Sequence, residues 1–194
     1  TYLRKKAFKD CDDELLSALS QIVSTGQRAV SALEQAQLVP NTLYYNTVLY
    51  PPNTDGVSSR VEWHQSALRV LQPTDMVFLD PDNGLVVKSV GAQSSRIIKY
   101  ILTEELKDYY CAGHSVIFYN HRSRQVEHDY LDRFRQLQND PALNGAKWLG
   151  VKFRRGTIRD FFFMLQPLHA TAVIRLIDGY LESNWRRHSA RLPI

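Results

Sequence analysis

The sequence predicts an α/β domain with a mostly parallel sheet, helices on both of its faces and a C-terminal antiparallel hairpin. Three observations carry this. Two apolar runs, "MVFLD" (76–80) and "HSVIFYN" (114–120), show no polar alternation, as expected of strands covered on both sides. Each is followed by a segment with helical spacing, the alternation that builds parallel sheets. "KWLGVKFRR" and "RDFFFMLQP" then lie on either side of a tight turn, which reads as a hairpin.

Residues 10–39 open the chain with apolar positions at Leu15, Leu16, Leu19, Ile22 and Val23, resuming at Val30, Leu33 and Leu38. These are helical spacings, capped by Asp12 or Asp13, split by Gly26 and ended by Pro40. "NTLYYNTVLYPP" is rich in β-formers and reads as a strand closed by Pro51-Pro52, before the loop "NTDGVSS". "RVEWHQSALRVLQPTD" predicts a short helix ending before Pro73. After the first apolar strand come the loop "DPDNG" and the stretch "LVVKSVGAQ". A helix over "SSRIIKYILTEELKDYYCAG" follows, with Ser94 or Ser95 as cap and Gly113 as stop. Beyond the second apolar strand are the loop "HRSRQ", the helix "VEHDYLDRFRQLQND", the hairpin and a last helix in "HATAVIRLIDGYLESNWRR".

With 194 residues, 44% hydrophobic and 23% charged, the chain suits a single domain, 1–194, with a substantial core. No apolar run approaches the roughly 20 residues that span a bilayer, so no membrane partner is expected. Cys11 and Cys111 are far apart and form no metal-ligand spacing, which favours a reducing, cytoplasmic setting without disulfides. The six histidines match no zinc pattern. The first residue is Thr1, and the reading expects some N-terminal sequence to precede it. The net charge is +4. Its arginines and lysines cluster at Arg122, Arg124, Arg133 and Arg135, at Lys152, Arg154, Arg155 and Arg159, and at Arg186, Arg187 and Arg191. Such clusters are able to neutralise phosphates, while Arg133 and Arg135 also suit a solvated helix face.

Ligands of α/β sheets sit beyond the carboxyl ends of the strands, where "DPDNG" and "NHRSR" both lie. Pro81 fixes its own φ and pushes Asp80 toward an extended conformation, and Asn83-Gly84 readily turns with positive φ. The loop should hold Asp80 and Asp82 rigidly over the strand end, placed to take a proton, grip an amine or bind a divalent metal. In the second loop, His121 suits proton transfer, and Arg122 and Arg124 suit a phosphate clamp. His128, alone on its helix, reads as structural or solvent-facing. Trp63 and His64 read as packing. Tyr44, Tyr45, Tyr109 and Tyr110 read as half-buried wall residues. "FFF" (161–163) leaves at least one ring facing outward, which invites a homodimer through the hairpin edge.

An apolar strand ending in "LDPDNG", followed by helix, strand, helix and terminal hairpin, resembles the second half of class I S-adenosylmethionine-dependent methyltransferases, which are Rossmann-like. "FLDPDNG" is also similar to the loop of the methyltransferase-like three-Cys-motif partner proteins. The resemblance covers residues 74–170. It implies S-adenosylmethionine as cofactor, nucleic acid as a partner, and Asp80, Pro81, Asp82 and Asn83 as the substrate loop. Asp80 and the Pro81 carbonyl would accept hydrogen bonds from a target amine and steer its lone pair toward the methyl group. The chain departs from the family at Asn83, where an aromatic residue would stack on an extruded base, and it has no GxGxxG loop after an early strand. Two other classes stay open. One is a metal-dependent phosphodiesterase or nuclease, with Asp80 and Asp82 on Mg²⁺ or Mn²⁺. The other is a non-catalytic scaffold that binds phosphate or a partner.

Overall fold

The computed structural model describes Phe8 and residues 10–26, 29–56, 58–122 and 125–194, the Arg155 side chain excepted. Two helices open it, α1 (Asp13–Ser24) and α2 (Val30–Gln35), with Asp12 capping α1 through Leu15 N and the break falling around Gly26. Helix α3 (Arg60–Leu71) starts with a reciprocal cap: Ser59 accepts from Glu62 N, and the Glu62 carboxylate accepts from Ser59 N. Strand β1 (Met76–Leu79) precedes two short strands, β2 (Gly84–Leu85) and β3 (Tyr100–Ile101), which pair with each other in parallel. Then follow α4 (Thr103–Cys111), β4 (Ser115–His121), α5 (Glu127–Gln138), β5 (Lys147–Arg155), β6 (Thr157–Leu165), α6 (Pro167–Glu182) and β7 (Ser189–Leu192).

The main sheet has the order β1-β4-β6-β5-β7. This corrects the expected Rossmann-like, mostly parallel sheet. Within it only the β1–β4 pair is parallel; β4–β6, β6–β5 and β5–β7 are all antiparallel. The hairpin was foreseen, but its second strand inserts between β4 and β5. The unbroken apolarity of β4 reflects cover on both faces, which does not depend on strand direction. One face packs on α4 and α5, with Phe118, Phe134, Phe162 and Met164 fully buried. The other packs on α6 through Leu149, Phe163, Leu165 and Ala170.

Other expectations also change. Residues 41–52 form no strand; instead Tyr45 packs edge-on against Trp63 and donates to its carbonyl, and Trp63 Nε1 donates to Thr47 O at 2.7 Å. β-propensity describes fit to a pleated surface, and Tyr45 finds a helix surface instead. The helix expected from Ser94 is interrupted. A 3₁₀ turn (Ser95–Lys99) leads into β3, because Arg60 takes the carbonyls of Ile97 and Tyr100 while Tyr100 and Ile101 pair with β2. β7 was not foreseen, and it covers β5 over Gly150–Phe153. The outer strands of the sheet are thus β1 and β7, so the hairpin does not form its edge. Among the described residues, no helix is long and apolar enough to cross a membrane.

Phe162 lies fully buried, stacked on Phe134 at 3.7 Å between centroids and on Phe118 at 5.4 Å. Phe162→Ala is expected to cost about 3–5 kcal/mol of stability by lost transfer energy and an unfilled cavity. Urea melts check this; a cost below about 1 kcal/mol would show that the site collapses around the void.

Candidate functional site

Because β1 and β4 are parallel neighbours, their carboxyl ends share one rim of the sheet. Asp80–Asn83 leave β1 there, and His121 and Arg122 leave β4 beside them. Three hydrogen bonds pin the first loop. Asn83 N donates to Lys99 O at 2.9 Å, His121 N to Asn83 O at 3.2 Å, and Leu85 N to Asn120 Oδ1 at 2.8 Å. Asn120 is buried at 1% exposure, and its Nδ2 donates to the Tyr130 hydroxyl at 2.7 Å and to His121 O. Gly84 has φ +95°, and a Cβ there would sit 2.1 Å from Asn120 Oδ1 and 2.6 Å from its Cα. No other residue fits that approach.

The Asp80 carboxylate takes no part in the three bonds that pin the loop. Although the residue counts as exposed, nearby protein desolvates its carboxyl and raises its pKa; the Asp82 charge adds to this and Arg159 opposes it. Asp82 is solvent-exposed and faces Lys99 at 3.6 Å. On the same face of the sheet, Phe78 lies two residues before Asp80 and is 55% exposed. Its ring centroid is 6.4 Å from that of Phe161, which is 5.9 Å from Tyr119. The Tyr119 hydroxyl bonds to His121 Nδ1 at 3.0 Å and accepts from Arg159, the cross-strand partner of His121. Burial raises the Tyr119 pKa, with Arg159 opposing. The rim therefore joins a partly desolvated carboxylate, an exposed ring, an imidazole and a cation.

Arg122 lies elsewhere, on the α5 side. Its Nε and Nη2 grip Asp160 at 2.8 and 3.0 Å, its Nη1 bonds Glu127, and its guanidinium lies 5.2 Å from the Tyr130 ring centroid. Asp160 is fully buried. Burial raises its pKa, against the opposing pull of Arg122 and of a hydrogen bond from Tyr130. Glu127 also takes Lys152 at 2.9 Å, and the two cations hold its carboxyl below the usual range. A phosphate would have to displace carboxylates to reach Arg122, a costly exchange for a buried pair. Arg124 falls outside the described residues. His128 is exposed, facing Asp132 at 3.3 Å and Asp129 at 3.5 Å. These three place ligand atoms within 4.8 Å of one another; among the described residues, Asp80 and Asp82 have no third ligand converging on them. His64 is buried with Nε2 on Asp108 at 3.0 Å, in keeping with a packing role.

Sequence reasoning missed Phe78, Tyr119 and Asn120, and it named Arg159 only as one of a basic cluster. Asn120 had a signal: an amide ending a wholly apolar strand must find buried partners. Phe78 and Tyr119 had none beyond strand alternation, and only register places Arg159 beside Tyr119 and His121.

Gly84→Ala is expected to lose about 2–4 kcal/mol, through backbone strain and the clash with Asn120, as read by denaturant melts. Wild-type stability would refute the lock. Asp80 binds its proton more tightly when folded, so its charge costs nothing below the ordinary carboxylate pKa and its cost grows as pH rises through the raised value. Asp80→Asn is accordingly expected to exceed wild type in stability at neutral pH and to match it in acid, in melts run as a pH series. Comparison with protein-family models, with curated proteins and with solved structures finds no match to this chain.

Proposed function

We propose that this chain is a methyltransferase-like domain whose rim binds an amino group on a nucleic-acid base. The observation that carries this reading is the pairing of Asp80 with the exposed ring of Phe78 on one sheet face. The order β1, α4, β4, α5, β5, β6, with the short β2–β3 pair inserted after β1, supports it, keeping the strand, helix, strand, helix, hairpin succession on which the methyltransferase resemblance rests. Asp80 and the Pro81 carbonyl accept from the two N–H bonds of an exocyclic amine. The loop that carries them is held rigid by Asn120 and Gly84, so little ordering is left to pay for on binding. Asn83 lacks the ring expected at its position; Phe78 and Phe161 supply an aromatic surface in its place, on which a base stacks with little regard to sequence. Arg159 provides a cation near the rim for the backbone.

S-adenosylmethionine is a separate matter. Among the described residues, no glycine-rich turn follows a strand and β1 is an outer strand of the sheet, so these residues do not form a cradle for that cofactor. The chemistry assigned to the rim is recognition: holding the amine and orienting its lone pair.

Fluorescence anisotropy with single-stranded oligonucleotides tests this. Strands of adenine or cytosine, which carry exocyclic amines, should bind about tenfold tighter than thymine strands, equivalent to about 1.4 kcal/mol. Asp80→Ala should erase that preference without unfolding the chain, and Phe78→Ala should weaken binding to every base. Equal affinity for all strands, or none, would overturn the reading. Titration of S-adenosylmethionine into the same protein separates recognition from transfer: heat of binding would revive the catalytic role in full.

A further inference from the structure

Arg133, on α5, is a partly buried cation without a carboxylate. Its Nη2 donates to the carbonyls of Leu85 and Val86 at 3.0 and 2.7 Å, and its guanidinium lies 5.3 Å from the Phe134 ring centroid. Nε and Nη1 have no hydrogen-bond partner among the described residues. The contrast with the other buried arginines is plain: Arg60 holds Glu105, and Arg122 holds Asp160 and Glu127. Burial depresses the Arg133 pKa, and only tyrosines, Tyr130 and Tyr100, oppose the shift. Nε and Nη1 are not sealed in the core, so an anion in solution reaches them, and a partly buried guanidinium without a counter-charge favours one.

Such an anion has room. Arg133 lines a groove of about 510 Å³ together with Val86, Val87, Lys88, Gln136 and Leu137. This is within the range of small-molecule sites. The one acid among its lining residues, Asp140, is engaged by Lys107 at 2.6 Å and caps Ala142 N. We infer that the groove binds a small organic oxyanion, a carboxylate or phosphate monoester, with its charge on Arg133 and Lys88 and its apolar body against Val86, Val87 and Leu137. The site is separate from the rim and does not rest on the function proposed there. It touches the same loop from below, since the carbonyls that Arg133 holds immediately follow Gly84.

The test is calorimetric titration of the full chain with inorganic phosphate, butyl phosphate and butyrate, with the Arg133 Nε–H resonance followed in parallel by nitrogen-edited NMR. Saturable millimolar binding is expected, with the Nε–H signal shifting and butyl phosphate binding several-fold tighter than inorganic phosphate. The relative strength of butyl phosphate and butyrate distinguishes a phosphate ligand from a carboxylate one. Arg133→Gln should abolish binding. Because that variant also removes the clamp on Leu85 and Val86, Gln136→Glu is the cleaner probe: an exposed, isosteric change three residues along α5 that gives Arg133 a carboxylate of its own. It should weaken binding at least tenfold and raise the thermal midpoint. Unsaturable titrations with all three probes, binding unchanged in Gln136→Glu, or no advantage of butyl phosphate over inorganic phosphate would overturn the assignment.

Discussion

The buried side chain of Asn120 is the interaction on which the rim depends. Its amide oxygen takes Leu85 N, and its amide nitrogen gives to Tyr130 and to His121 O, so one residue ties the loop after β1, the end of β4 and helix α5 together. At 1% exposure these groups have no water to fall back on, and each lost bond would leave an unmatched polar atom in a low-dielectric interior. The same amide sets the demand for glycine at position 84, because the backbone must pass within contact distance of it.

From Asn120 the network continues inward. Tyr130 accepts from the amide and packs against the Arg122 guanidinium, Arg122 holds Asp160, and Arg122 shares Glu127 with Lys152. Charge is thus balanced stepwise from the fully buried carboxylate to the half-exposed Glu127. The two sheet faces divide the work. On the α5 side, Asn120, Tyr130, Asp160 and Arg122 engage one another and hold the strand ends in place; on the α6 side, Asp80, Phe78, His121 and Arg159 line the rim. Rigid support under an accessible constellation is the arrangement that binding sites require.

The basic clusters take on a different meaning in this light. Arg60, Arg122, Lys152 and Arg191 each sit against a carboxylate, and Arg135 bridges Asp132 and Pro193 O. Several of the cations that enter the net charge of +4 are thus held by carboxylates. Arg159 lies at the rim and Arg133 at the groove beside β2, neither against a carboxylate among the described residues.

The sequence alone determined the local elements whose signals are local: the cap of α1, the end of α3 before Pro73, the break around Gly26, the apolar strands β1 and β4, the hairpin turn, and a tight loop at Asp80–Gly84. Proline, glycine, capping side chains and periodicity act within a few residues, so they can be read in one dimension. Tertiary structure decided the rest. Strand order placed β6 against β4 and made the sheet mixed, a pairing free to choose among apolar strands of equal character. The helix expected at 94–113 broke because Arg60, far off in sequence, took its carbonyls. Arg122 looked like a free phosphate ligand until β6 delivered Asp160 to it, and Phe78 acquired its place beside Asp80, Phe161 and Tyr119 only through register. Partners for charge, for backbone carbonyls and for strand edges come from distant segments, and no local pattern records which segment will arrive.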